Sequence, residues 1–168
     1  MIGPTLSHYA ISGILGAGGM GEVYLARDTN LDRLVALKIL PRELDGDRDR
    51  LRRFVLEAKA ASAVSHSNVA HIYEIGEAAG VHFIAMEYVE GETLAARLTA
   101  GPLPPAEVAR IGREIAAALE DAHAHRIIHR DLKPANIAGE AGATLPNLFS
   151  GCHKGAVDSR IAPRAWFP

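Results

Sequence analysis

The run Gly16-Ala17-Gly18-Gly19-Met20-Gly21-Glu22-Val23 sets the pattern G-x-G-x-x-G-x-V between two apolar stretches. Glycines at this spacing allow a tight reversal of the chain and let main-chain amides approach an anion with no side chain intervening. In a dinucleotide-binding βαβ unit a similar pattern opens a helix. Here Glu22-Val23-Tyr24-Leu25 continues as a strand, so the glycines join two antiparallel strands. Taken alone, the hairpin is either a flap over phosphates or a glycine-rich turn with no ligand.

The neighbouring segments extend this reading. Ser7 to Leu15, Glu22 to Asp28 and Arg33 to Leu40 are apolar-rich runs, the last two separated by the polar turn Thr29-Asn30-Leu31-Asp32; they predict a meander. Leu51, Phe54, Val55, Ala58, Ala61 and Val64 recur at helical spacing and predict a helix from about Asp49 to Ser65. Val69 to Gly76 and Val81 to Tyr88 are two further strands joined by Glu77-Ala78-Ala79-Gly80. Glu90-Gly91-Glu92 interrupts the pattern, a short helix starts near Thr93, and Gly101-Pro102-Leu103-Pro104-Pro105 ends it. Val108, Ile111, Ile115, Ala118, Leu119 and Ala122 then give one apolar face to a long helix reaching about His123.

Two motifs carry charge into this framework. Val35-Ala36-Leu37-Lys38 puts an ammonium on an otherwise apolar strand, where it needs an anion if buried. Glu57, at the edge of the helical stripe, is a candidate partner; a solvent-directed lysine and an ordinary surface acid are the other reading. His129-Arg130-Asp131-Leu132-Lys133-Pro134-Ala135-Asn136 gathers an acid, bases and an amide within eight residues, directly after the apolar pair Ile127-Ile128.

In that order, the glycine loop, the Val-Ala-Leu-Lys strand and the His-Arg-Asp string resemble the signature of protein kinases, and specifically the bacterial serine/threonine kinases of eukaryotic type. The resemblance implies an α+β fold: a five-stranded antiparallel sheet plus one helix as an amino-terminal lobe, joined to an incomplete helical carboxy-terminal lobe. It implies lobe boundaries of 9–89 and 90–137, with a divergent, poorly structured tail over 138–168. It further implies ATP and Mg2+ as cofactors and a protein as substrate. Gly16, Ala17, Gly18, Gly19, Met20 and Gly21 would cover the phosphates, Lys38 would contact the α and β phosphates, and Glu57 would hold Lys38. Val23 and Ala36 would sandwich the adenine, Met86 would be the gatekeeper, and the main chain of Glu87 and Val89 would bond the adenine edge. Asp131 would orient the attacking hydroxyl, a role worth ~10²–10⁴ in rate for a general base; Lys133 would steady the transferred phosphate, and Asn136 would bind magnesium. Arg130 would pair with a phosphorylated activation loop.

The resemblance covers about Tyr9 to Ile137 and then stops. No Asp-Phe-Gly follows Asn136, the only later acids are Glu140 and Asp158, and Ala138 stands where a larger apolar residue would lie under the adenine. Glycine, proline and alanine make up 12 of the last 30 residues, without strand or helix period. Loss of a magnesium ligand costs on the order of 10³-fold in rate, each ~1.4 kcal/mol being tenfold. The chain is therefore expected to be a kinase fragment inactive alone, as a frameshift or premature end would give; a noncatalytic nucleotide-binding or interaction module is the alternative.

Composition excludes little else. Eighteen basic against twenty acidic residues, a net charge of −2, give no general attraction for nucleic acid or anionic membrane. No run approaches the ~20 apolar residues of a membrane span, and the single cysteine, Cys152, fits a reducing, cytoplasmic setting. His123, His125 and His129 are better read as kinase-loop residues than as a zinc site, and Cys152-His153 has no second cysteine to complete one. The substrate, upstream signal and oligomeric state are not legible.

Overall fold

The computed structural model describes residues 4–18, 21–40, 62–129 and 132–139, together with Arg52, Val55, Leu56, Ala58 and Lys59. Eight strands occur among them: β1 (Thr5–Leu6), β2 (Tyr9–Gly18), β3 (Gly21–Asp28), β4 (Arg33–Ile39), β5 (Ile72–Ala78), β6 (Val81–Glu87), β7 (Glu92–Thr93) and β8 (Ala138–Gly139). Two α-helices with full bounds, α1 (Leu94–Thr99) and α2 (Pro105–Ala124), follow β7, and a 3-10 turn spans Pro134–Asn136. Arg52, Val55, Leu56, Ala58, Lys59 and Ser62 are helical, within the expected helix; the remainder of its first three turns lies outside the described residues.

β1 to β6 form one antiparallel sheet in the order β1-β2-β3-β4-β6-β5. The five expected strands are there, and β1 is a sixth that two residues could not announce by any period; its Leu6 is fully buried. Strand alternation sends residues to two faces. Tyr9, Ile11, Tyr24, Ala26, Val35, Leu37, Phe83 and Ala85 pack together on one face. Leu15, Val23, Ala36, Ile84 and Met86 pack on the other, where helical Ala58 and Val55 cover them.

The β5–β6 turn is the two-residue reversal Ala79–Gly80, both left-handed at φ 51° and 71°, which matches the twist of a hairpin. Beyond the sheet, Val64 and Val69 pack on Ala118 and Ala122 of α2, joining the sheet portion to the helical portion. β7 and β8 pair antiparallel, Thr93 opposite Ala138. The first two residues of the expected tail are thus paired; 140–168, with Glu140, Cys152, His153 and Asp158, lie outside the described residues. Among the described residues no helix is long and apolar enough to cross a membrane.

Candidate active site

β2 and β3 pair as far as the glycine reversal, with Gly16 opposite Val23 and Gly18 opposite Gly21. A register shift between Ile14 and Gly16 bends β2 as it enters the loop. Gly21 has φ 122°, a conformation that a side chain would strain. Gly19 and Met20 lie outside the described residues.

The strand register assembles the predicted cleft residues. Val23 on β3 lies opposite Lys38 on β4, and Lys38 lies opposite Ile84 on β6. Cross-strand partners share a face, so the half-buried Lys38 stands beside the cluster that contains Val23, Ala36 and Met86. Ala36 is fully buried between Leu25 and Met86, its neighbours in register. Leu15, buried in the same cluster, was not foreseen as a lining residue; its signal is its place immediately before Gly16. Glu57 lies outside the described residues, while the helical residues Val55 and Ala58 contact this cluster.

The chain leaves β6 through Glu87, Tyr88 and Val89, all partly buried. The Glu87 amide donates to the His71 carbonyl at 2.8 Å, so that N–H is engaged within the protein. Burial pushes the Tyr88 hydroxyl above its ordinary pKa, and the nearby Glu90 charge adds to the effect.

Lys133 and Asn136 stand on a second element. The 3-10 turn closes through Asn136 N–H to Lys133 O at 2.9 Å and Ile137 N–H to Pro134 O at 3.3 Å. Its exit is fixed to α1, whose Leu94 amide donates to Ile137 O at 2.8 Å. Thr93 caps that helix by accepting from Ala96 N–H at 3.0 Å. The loop therefore ends on a hydrogen-bonded seat, with Asn136 buried and Lys133 exposed. Arg130 and Asp131 lie outside the described residues.

Leu15, Val23, Ala36 and Met86 form a buried apolar cluster on the sheet face that also carries Lys38, and the β2–β3 glycine reversal lies at the end of the same strands; apolar side chains, an amine and open backbone amides are the groups a purine nucleotide would use. For a metal ion, the described residues offer the Asn136 amide, and no group of three or more histidine, cysteine or acidic side chains occurs among them.

A family model for the protein kinase domain matches residues 9–143, and the chain belongs to that family. The serine/threonine-protein kinase PrkC of Bacillus subtilis is 47% identical over 139 residues, covering 82% of this chain and 22% of the relative. PknB of Mycobacterium leprae is 42% identical over 162 residues, 93% of this chain and 26% of its own length. The crystal structure of the Mycobacterium tuberculosis PknI kinase domain superposes with a TM-score of 0.74 at 32% identity, over 89% of this chain and 61% of that domain. The chain thus spans about a quarter of the curated relatives it matches and under two thirds of that kinase domain.

Proposed function

We propose that this chain carries the nucleotide-binding half of a protein serine/threonine kinase, and that the protein it represents transfers the γ-phosphoryl group of ATP to serine or threonine hydroxyls of proteins. The observation that carries the reading is the register that sets Lys38 beside Val23, Ala36 and Met86 on one sheet face. Adenine would lie between Val23 and Ala36, its edge bonded by the Glu87 carbonyl and the Val89 main chain. Lys38, steadied by Glu57, would hold the α and β phosphates beneath the loop Gly16 to Gly21. Asp131 would receive the proton of the attacking hydroxyl, and Lys133 would balance charge on the moving phosphoryl group. Asn136 would be a ligand for Mg2+, which when bound supplies charge neutralisation to the phosphates. With ATP as co-substrate, the reaction would take place in the cytoplasm.

Thermal unfolding of the 168-residue chain with and without Mg-ATP tests this. At a concentration ~100 times Kd the nucleotide adds about 2.7 kcal/mol, a rise of roughly 5–10 °C for a domain of this size. Lys38→Ala should abolish most of it. Phosphotransfer that disappears in Asp131→Asn would establish catalysis. Nucleotide binding without phosphotransfer would move the chain to the noncatalytic reading, and a folded chain with no thermal shift would remove the nucleotide from both.

A further inference from the structure

The segment that would read the adenine edge is held by one residue from outside the cleft. Among the described residues His71, immediately before β5, makes three hydrogen bonds, all with Glu87. Its amide donates to Glu87 Oε2 at 3.1 Å, its ring Nδ1 meets the same oxygen at 3.0 Å, and its carbonyl accepts from the Glu87 amide at 2.8 Å. Glu87 is thereby fixed through main chain and side chain together.

Two features of the sheet make this clamp matter. On the other side of β6, Glu87 has Val35 as its register partner, the last such pair before the chain turns away. On the β5 side the register shifts between Ile72 and Glu74, so Ile72 opposite Met86 and the His71–Glu87 contacts are what hold that end of β6. The carboxylate accepts only, so the ring must present an N–H at Nδ1, as that tautomer or as imidazolium. A hydrogen bond to an ionised group is stronger than a neutral one, though half-exposure of both side chains, 50% and 41%, moderates it.

We propose that His71 is a positioning residue for nucleotide binding: its clamp on Glu87 sets the orientation of the main chain from Glu87 to Val89 that the adenine edge requires. This rests on the nucleotide reading above. His71 touches no ligand in this scheme and acts through Glu87.

Amide hydrogen exchange of the ligand-free 168-residue chain, with adenosine and ATP affinities, tests it in wild type, His71→Ala and His71→Asn. Loss of one such bond is worth about fivefold in a local opening equilibrium. In His71→Ala, exchange at Glu87 to Val89 should rise by about that factor while β3 and β4 keep their protection, and adenosine and ATP should weaken alike by roughly three- to tenfold. Asparagine carries a side-chain N–H the same number of bonds from the backbone as Nδ1, so His71→Asn should recover most of both. Unchanged hinge exchange, a uniform rise across the sheet, or undiminished adenosine affinity in His71→Ala would overturn the proposal. Should wild type bind neither ligand, the nucleotide reading fails by itself, and the exchange pattern still decides whether His71 holds this segment.

Discussion

Phe83 lies directly against Gly76: a Cβ built on Gly76 would stand 2.6 Å from the ring Cζ. The two are partners in the β5–β6 register, and Phe83 is 1% exposed, with its ring edge against Tyr9 at 5.6 Å between centroids. The ring has nowhere to retreat. Gly76→Ala should therefore destabilise the chain by about 1–3 kcal/mol through overpacking, read from urea unfolding. Phe83→Leu removes the offending atom, so it should cost less in the Gly76→Ala background than in wild type. Additive costs would show that the contact is relieved by backbone movement.

The β3–β4 turn carries a pH-dependent share of stability. Asp28 is buried and accepts from the amides of Asn30 at 3.0 Å and Leu31 at 3.1 Å, with His8 Nε2 at 3.7 Å and Arg33 Nε at 3.5 Å. Burial pushes its pKa up, but the two amides, with His8 and the Arg33 guanidinium beside it, outweigh that and leave it lowered. A carboxyl with a depressed folded pKa stabilises above its unfolded value, ~3.9, and the contribution is lost as pH falls through the folded value. Wild type should lose its margin over Asp28→Asn as pH drops from about 5 toward 2. A margin that stays constant over that range would show that Asp28 acts by shape alone.

Asn68 ties the sheet portion to the helical one. It is 7% exposed, and its side-chain amide donates to Glu114 O on α2 at 3.3 Å, across 46 positions of sequence. Asn68→Ala should cost about 1–3 kcal/mol. Asn68→Asp should cost more at neutral pH, because a buried carboxylate would face a carbonyl oxygen with no proton between them, and acidification should narrow the gap. Equal costs at neutral pH would mean that the amide's donor is immaterial.

The sheet was legible because its strands are apolar-rich runs bounded by the turns Thr29-Asn30-Leu31-Asp32 and Glu77-Ala78-Ala79-Gly80; the central strands are buried on both faces and do not alternate. Lys38, Val23 and Ala36 were legible by motif, and the register then supplied what no motif contains, namely that they share a face with Met86 and Leu15. β1 was missed because Thr5–Leu6 is stabilised by pairing with Tyr9 and Ala10 rather than by any pattern of its own. The clamp between His71 and Glu87 and the tie from Asn68 to Glu114 were missed for the same reason: both link residues distant in sequence, through side chains whose types are common on any surface.

Adenine and phosphate recognition should separate by mutation. Lys38 is half-buried on the sheet face that carries Val23 and Met86, whereas Ala36, at the proposed adenine position, is fully buried between Leu25 and Met86. Lys38→Ala removes a charge-assisted contact of ~1.5–3 kcal/mol, so ATP should weaken roughly ten- to hundredfold while adenosine, with no phosphate, binds about as before. Ala36→Leu puts a larger side chain at the proposed adenine position and should weaken adenosine and ATP by the same factor. Isothermal titration of both ligands against both variants checks the pattern. If Lys38→Ala weakened adenosine as much as ATP, the lysine would be supporting the shape of the sheet rather than holding phosphate, and the assignment of the glycine loop as a phosphate cover would lose its partner.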